Sequence, residues 1–193
     1  MRMTRTLAAF RSSAITQHAP DFRTFGPRTF GQIPTMPALP TLPALYYAGP
    51  LFTDAERAWN AANAAHLRRH FRGVEVLVPQ EFCAAFDAPP GQKPDHGSIF
   101  GACLANLERA TAVLAVLDGA DADSGTCFEA GFAVARGIPV IGLRTDWRPA
   151  EDGAANCMLT RSCRTVVRDL DAACTVLATF LGGVSLLAPR PTR

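Results

Sequence analysis

The chain has 193 residues and a formal net charge of +2, with 48% apolar and 19% charged residues. That is enough for one globular domain with a buried core, and the small charge excess does not point to a nucleic-acid polymer as partner. No apolar run approaches the ~20 residues of a membrane span. The six cysteines make no C-x-x-C, which argues against zinc and redox motifs, and they read as small core residues in a reducing cytosol.

Residues 1–43 stand apart. Arg2, Arg5, Arg11, Arg23 and Arg28 face a single acid, Asp21, and six prolines interrupt any helix. A disordered leader is expected. Its Arg-rich, acid-poor composition is also that of a transit peptide, but the apolar core of a secretory signal is missing. The foldable domain is expected over residues 44–183, with a C-terminal tail at 184–193.

The domain opens on a short strand, residues 45–48, and the turn Gly49-Pro50. A helix follows to about Arg69, capped by Thr53 or Asp54. On it His66 and His70 are spaced i, i+4, a spacing that could bind metal. No third ligand and no H-E-x-x-H pattern supports this, so a packed or solvated face is expected and no metal is assigned. Residues 74–78 read as a second strand ended by Pro79, with Gln80 just beyond its carboxyl end. Residues 87–98 are rich in Pro, Gly and charge and read as a loop over the site. A helix at 99–109, capped by Ser98, leads to the third strand at 112–117.

The central unit runs from Thr111 to Leu143. After the third strand comes an acidic turn, residues 118–125, then a helix at about 126–136 with Gly137 as its C-cap, and a fourth strand at 139–143. A polar loop at 144–156, a short strand at 165–167 and a last helix at 170–181, closed by Gly182-Gly183, complete the chain. The alternation predicts an α/β fold: one doubly wound parallel sheet in a flavodoxin-like or Rossmann-like three-layer sandwich. Its ligand belongs at the carboxyl ends of the strands, where Asp118, Asp121, Asp123 and Glu129 fall. There is no G-x-G-x-x-G, so no dinucleotide and no other cofactor is expected.

Glu129 has two readings. Thr126-x-x-Glu129 fits a capping box. Against it, Asp123 and Ser124 are themselves good caps, and the neighbours Cys127, Phe128, Ala130, Gly131 and Phe132 are apolar or small. A carboxylate on so apolar a helix is paired or functional, and near a helix N-terminus it is expected to stay ionised, which suits a nucleophile.

The run LDGADADSGTCFEAGFAVARGIPVIGLRTD resembles the signature of the nucleoside 2-deoxyribosyltransferase family. Members carry a strand, D-G, a D-S-G-T turn, E-x-G-x-A and G-K-P-V-I-G-L; here Ile138 stands where Lys is usual. LYYAGPLFTDAERAWN, residues 45–60, resembles the family's opening strand and loop, and Asn156-Cys157-Met158-Leu159 its late N-x-M segment. The three patches fall in family order and span about residues 45–180. The family also includes related deoxynucleoside 5′-monophosphate N-glycosidases.

The resemblance implies a nucleoside 2-deoxyribosyltransferase of nucleotide salvage. It would exchange the base of a 2′-deoxynucleoside for a free base through a covalent intermediate on Glu129. Asp123 would protonate the leaving base and Tyr46 would hold the nucleophile; their plainer readings are a helix cap and a core aromatic. Phe52 would stack on the base, and Gln80 would contact base or sugar, with Gly49, Ser124 and Gly125 shaping the substrate site. Asn156 and Met158 would be lent by a neighbouring subunit, which implies a homo-oligomer. One departure stands out: members often carry an Asp in the helix before the central strand, at about the position of Cys103, and a thiol cannot replace a carboxylate there. Two alternatives remain at this stage. One is a hydrolase of deoxynucleoside 5′-monophosphates, for which Arg144, Arg148 and Arg161 leave room for phosphate. The other is a catalytically silent nucleotide-binding module. A cytoplasmic location is expected.

Overall fold

The computed structural model describes residues 42–89, 91–153 and 155–182. The expected leader up to Thr41 and the expected tail lie outside the described residues, as does Gly183. Five strands, β1 (Ala44–Ala48), β2 (Glu75–Leu77), β3 (Ala112–Val116), β4 (Val140–Leu143) and β5 (Thr165–Val167), form one sheet in the order β2-β1-β3-β4-β5. Every pairing is parallel, with Tyr46 opposite both Leu77 and Val113. This is the flavodoxin-like order, and its switch point lies between β1 and β3.

Helices cover both faces, as the alternation predicts. Leu45 and Tyr47 point to the face covered by α1 (Asp54–His70) and α6 (Leu170–Leu181), where Leu67, Phe71 and Leu177 join the core. Ala44, Tyr46 and Ala48 point to the other face, covered by α3 (His96–Glu108), α4 (Ser124–Ala135) and α5 (Cys157–Ser162), with Leu107, Ala130 and Ala133. The period of two along β1 thus sends adjacent tyrosines into different layers. All five residues of β1 and of β3 are buried, which is why both read as continuous apolar runs. Each large side chain so removed from water contributes about 1.5–3 kcal/mol. At the centre of β4 a side chain would not fit: a Cβ on Gly142 would lie 2.8 Å from Leu117 Cδ1.

The helix starts depart from expectation in an instructive way. Thr53 does cap α1, in a capping box with Glu56. α3 begins at His96, not residue 99, because Asp95 accepts from the Ser98 amide and hydroxyl and so takes the cap from Ser98. α4 begins at Ser124 because Asp123 accepts from Thr126 N at 2.8 Å. Three short elements were not expected, α5 among them. α2 (Pro79–Phe82), with Pro79 in its first turn, and a 3₁₀ turn at Ala84–Phe86 follow β2 directly. Proline breaks a helix only from inside; at the first position its missing N–H costs nothing. α5 is capped by Asn156, whose side chain accepts from Met158 N at 2.9 Å. Among the described residues no helix is long and apolar enough to cross a membrane.

Candidate active site

A cleft of about 600 Å³ opens at the carboxyl ends of β1 and β3. Glu129, one and a half turns into α4, projects into it from the α3/α4 side of the sheet. Its partner comes from 83 residues away: Tyr46, in the middle of β1 and fully buried, donates its hydroxyl to Glu129 Oε1 at 2.6 Å. Glu129 therefore does not close a capping box on Thr126. Asp123 already caps that helix with Oδ2, which accepts from both Thr126 N and Thr126 Oγ1, so the Glu129 carboxylate is free to reach the strand.

The electrostatics correct one expectation. The helix start was expected to keep Glu129 ionised at ordinary carboxylate pH. Instead burial raises its pKa from 4.5 to about 7, aided by the Asp123 charge, while the hydrogen bonds from Tyr46 and Cys103 pull it down. Desolvation of a group walled in by apolar side chains outweighs the helix dipole. Burial, then the charge of Glu129, pushes the Tyr46 phenol far above its usual range, so it stays protonated and donates.

Of the residues expected at the site, Gly49, Phe52, Gln80, Asp123 and Gly125 line the cleft with Glu129. Tyr46 supports the wall from behind. Gly49 sits in a tight place: a Cβ there would lie 3.1 Å from Val116 Cγ2, and one on Gly125 would lie 3.0 Å from Asp123 Oδ2. Phe52 is 72% exposed at the rim, presenting its ring to the opening. Ser124 is exposed at the start of α4 and is not on the cleft wall. Asn156 and Met158 are not on it either. Asn156 Nδ2 donates to Glu151, and Met158 projects outward, 76% exposed.

Several wall residues carried no signal in the sequence. Arg57, Cys83, Asp87 and His96 line the cleft, the last two from the segment expected to lie over the site. Cys103 also lines it, beside Tyr46 and Glu129, with its sulfur 3.9 Å from that of Cys83. Burial raises both thiols, Cys83 to about 12, so neither is a ready nucleophile. Behind the wall, buried Asn60 joins three segments: it accepts from Tyr47 Oη, and donates to Pro50 O at 2.8 Å and to Gln80 Oε1 at 3.3 Å. A paired polar residue on the inner face of an amphipathic helix was the available clue.

The acidic turn divides its labour. Asp118 accepts from Thr145 N, Thr145 Oγ1 and Asp146 N, tying the end of β3 to the end of β4. The three arginines considered for phosphate are already engaged. Arg144 is buried and donates to Leu117 O and Gly119 O, Arg148 pairs with Asp146, and Arg161 pairs with Asp152. Asp118 and the three arginines thus build the scaffold, and Asp123 and Glu129 are the two carboxylates that face the cleft from α4 and its cap.

Fold and site together define a three-layer α/β protein with a strand-anchored carboxylate in a cleft at the topological switch point. Residues 45–176, more than half of the chain, match the family model for nucleoside 2-deoxyribosyltransferase, and the chain belongs to that family. Solved structures agree in fold. A conserved protein from Enterococcus faecalis V583 is 25% identical with a TM-score of 0.61, covering 69% of this chain and 96% of its own. The 2-deoxyribosyltransferase from Bacillus psychrosaccharolyticus is 22% identical with a TM-score of 0.56, covering 67% of this chain and 89% of its own. The 2-desoxiribosyltransferase from Leishmania mexicana is 22% identical with a TM-score of 0.53, over 70% of this chain and 96% of its own. Among curated proteins, none matches the chain significantly.

Proposed function

We propose that the protein is a nucleoside 2-deoxyribosyltransferase with Glu129 as its nucleophile. The observation that carries this is the 2.6 Å hydrogen bond from Tyr46 to Glu129 Oε1 at the wall of the cleft. A phenol that cannot ionise holds one carboxylate oxygen and leaves the other for the anomeric carbon of a 2′-deoxynucleoside. The first displacement forms the C1′–O bond to Glu129 and breaks the C1′–N bond to the base. Asp123, after taking up a proton from solvent as substrate binds, delivers it to the departing base nitrogen as the pair of electrons moves onto it. The second displacement reverses these roles: a nitrogen of an acceptor base attacks C1′, Glu129 leaves, and the proton returns to Asp123. Two displacements at one carbon through an oxocarbenium-like transition state follow the logic of retaining glycosidases.

Phe52 at the rim would stack on the base, and Gln80, oriented by Asn60 and by its own bond to Arg57 O, would contact base or sugar. Gly49 and Gly125 keep the floor open for the ring. Asn156 and Met158, off the cleft of their own chain, would complete a neighbouring subunit's site in a homo-oligomer, and Ser124, exposed at the start of α4, would contact substrate from beside the cleft. A raised Glu129 pKa is compatible with nucleophilic attack, because a less solvated carboxylate, once ionised, is the better nucleophile. Substrates are a deoxynucleoside and a free base. Hydrolysis of a deoxynucleoside monophosphate is less well supported, because Arg144, Arg148 and Arg161 are all committed within the fold.

The test is one incubation of a 2′-deoxynucleoside with and without a second free base, followed by chromatography. Base exchange without loss of sugar is expected. Free sugar formed at the same rate with or without acceptor would make the protein a hydrolase. No reaction with nucleosides or monophosphates would leave a binding module.

A further inference from the structure

On the face of the sheet opposite the cleft, α1 and α6 bring together three metal-binding side chains. His66 and His70, one turn apart on α1, present near-parallel rings 6.2 Å apart. Cys174, fully buried on α6 and unoxidised, lies beneath them. Their ligand atoms, two imidazole nitrogens and one sulfur, all lie within 4.8 Å of one another. Nε2 of both histidines is buried, and neither has a hydrogen-bond partner among the described residues. A buried imidazole nitrogen without a hydrogen bond, as in His70, calls for an explanation. Asp171, one turn before Cys174 on α6, adds a carboxylate oxygen 3.1 Å from His66 Nε2 without hydrogen-bonding geometry. That is a separation common to two ligands of one ion.

We propose that His66, His70 and Cys174 form a structural zinc site that fastens α6 to α1, with Asp171 swinging in as the fourth ligand. The chemistry of the donors selects the metal. Two imidazoles, a thiolate and a carboxylate suit tetrahedral Zn²⁺ with ligand distances near 2.0–2.3 Å, and a soft thiolate disfavours Mg²⁺ and Ca²⁺. Donor atoms within 4.8 Å of one another need only small rotamer changes to close on such an ion. Asp171, 84% exposed, is free to make its move from solvent. On binding, the Cys174 S–H gives its proton to water and the sulfur lone pair forms the bond to zinc. Neutral imidazoles, one thiolate and one carboxylate then balance the charge of the ion. The sequence holds no hint of this beyond the His-x-x-x-His spacing, because Cys174 lies more than a hundred residues further along.

The site is separate from the cleft, so its test does not depend on turnover. The full chain, stripped of metal with a chelator, is titrated with ZnCl₂ against a chromophoric competitor, and its thermal unfolding is followed in parallel. One equivalent is expected to bind, and at free zinc about 100-fold above Kd the Tm is expected to rise by about 5–10 °C for a chain of this size. His66→Gln, His70→Gln and Cys174→Ser should each weaken binding by at least about 100-fold and abolish the zinc-dependent rise, since each removes one of four donors. Co²⁺ in place of zinc should give a thiolate charge-transfer band that is lost in Cys174→Ser. Because Cys174 is buried and its variant can fail to fold, the two histidine variants decide independently. Failure to bind one equivalent, or binding of unchanged affinity in both histidine variants, would overturn the proposal.

Discussion

Replacing Glu129 by Gln separates its chemistry from its cost to the fold. In the folded chain burial raises this carboxyl to about 7, against its ordinary 4.5. At about 1.4 kcal/mol per unit, the gap corresponds to about 3 kcal/mol between the two protonation states. The unfolded chain releases this proton near 4.5 and the folded chain only near 7. Between those values the folded state holds more protons, so this group's contribution to stability is full below 4.5 and falls as pH rises through 7. Gln cannot ionise and keeps an acceptor for the Tyr46 hydroxyl. The stability difference between Glu129→Gln and the parent should therefore grow in favour of the variant by about 2–3 kcal/mol from pH 5 to pH 8. In Tm that is roughly 5–10 °C for a chain of this length. Other groups titrate equally in both proteins and cancel. Paired thermal-unfolding scans at the two pH values read the difference, and a base-exchange assay reads turnover, which should vanish at both. A Tm difference that does not change with pH would refute the claim that Glu129 is desolvated, and retained turnover would remove it as nucleophile.

Tyr46→Phe deletes the hydrogen bond that favours the ionised form of Glu129, so the rise of kcat/KM with pH should move from about 7 to a higher pH. Turnover at pH 7 should fall by about 10–100-fold, the worth of a charge-assisted hydrogen bond, and a pH–rate profile measures both. Asn60→Ala leaves Tyr47 Oη, Pro50 O and the Gln80 amide without a shared partner. It should cost about 2–4 kcal/mol in urea unfolding and raise KM more than it lowers kcat, because the strand-to-helix segment at the cleft rim loses its anchor. Gly125→Ala places a methyl 3.0 Å from Asp123 Oδ2. Base exchange should slow by at least about tenfold while Tm moves by only a few degrees, since the crowding falls on the proton donor rather than the core.

The layered fold was legible because burial on both faces leaves a plain mark. β1 and β3 are unbroken apolar runs, and the longer helices α1, α3, α4 and α6 carry Thr or Asp at their starts. One error fell where one side chain outcompeted another for the same amide: Asp95 took the cap that Ser98 was expected to supply. Asp123 caps α4 and leaves Glu129 free, as its place before the helix suggested. α2 and α5 were missed because four or six residues show no period, and each is held by its neighbours rather than by its own pattern. Within the candidate site, the carboxylate and its strand tyrosine were legible through their motifs. Arg57 was not, and Asp87 and His96 were legible only as part of the loop expected over the site, since the fold and not a local pattern brings each side chain to the wall.

The sequence by itself determined the alternation of strands and helices, the class of fold and the stretch that carries Glu129. Hydrophobic periodicity and capping act over a few residues and are written locally. Only the tertiary structure decided that β1 lies between β2 and β3, and with it that Tyr46 reaches Glu129 across 83 residues. The same packing set the Glu129 pKa, because desolvation depends on what surrounds a group and not on what precedes it in the chain. It also laid Cys174 against His66 and His70, a pairing made by two helices docking on one sheet face.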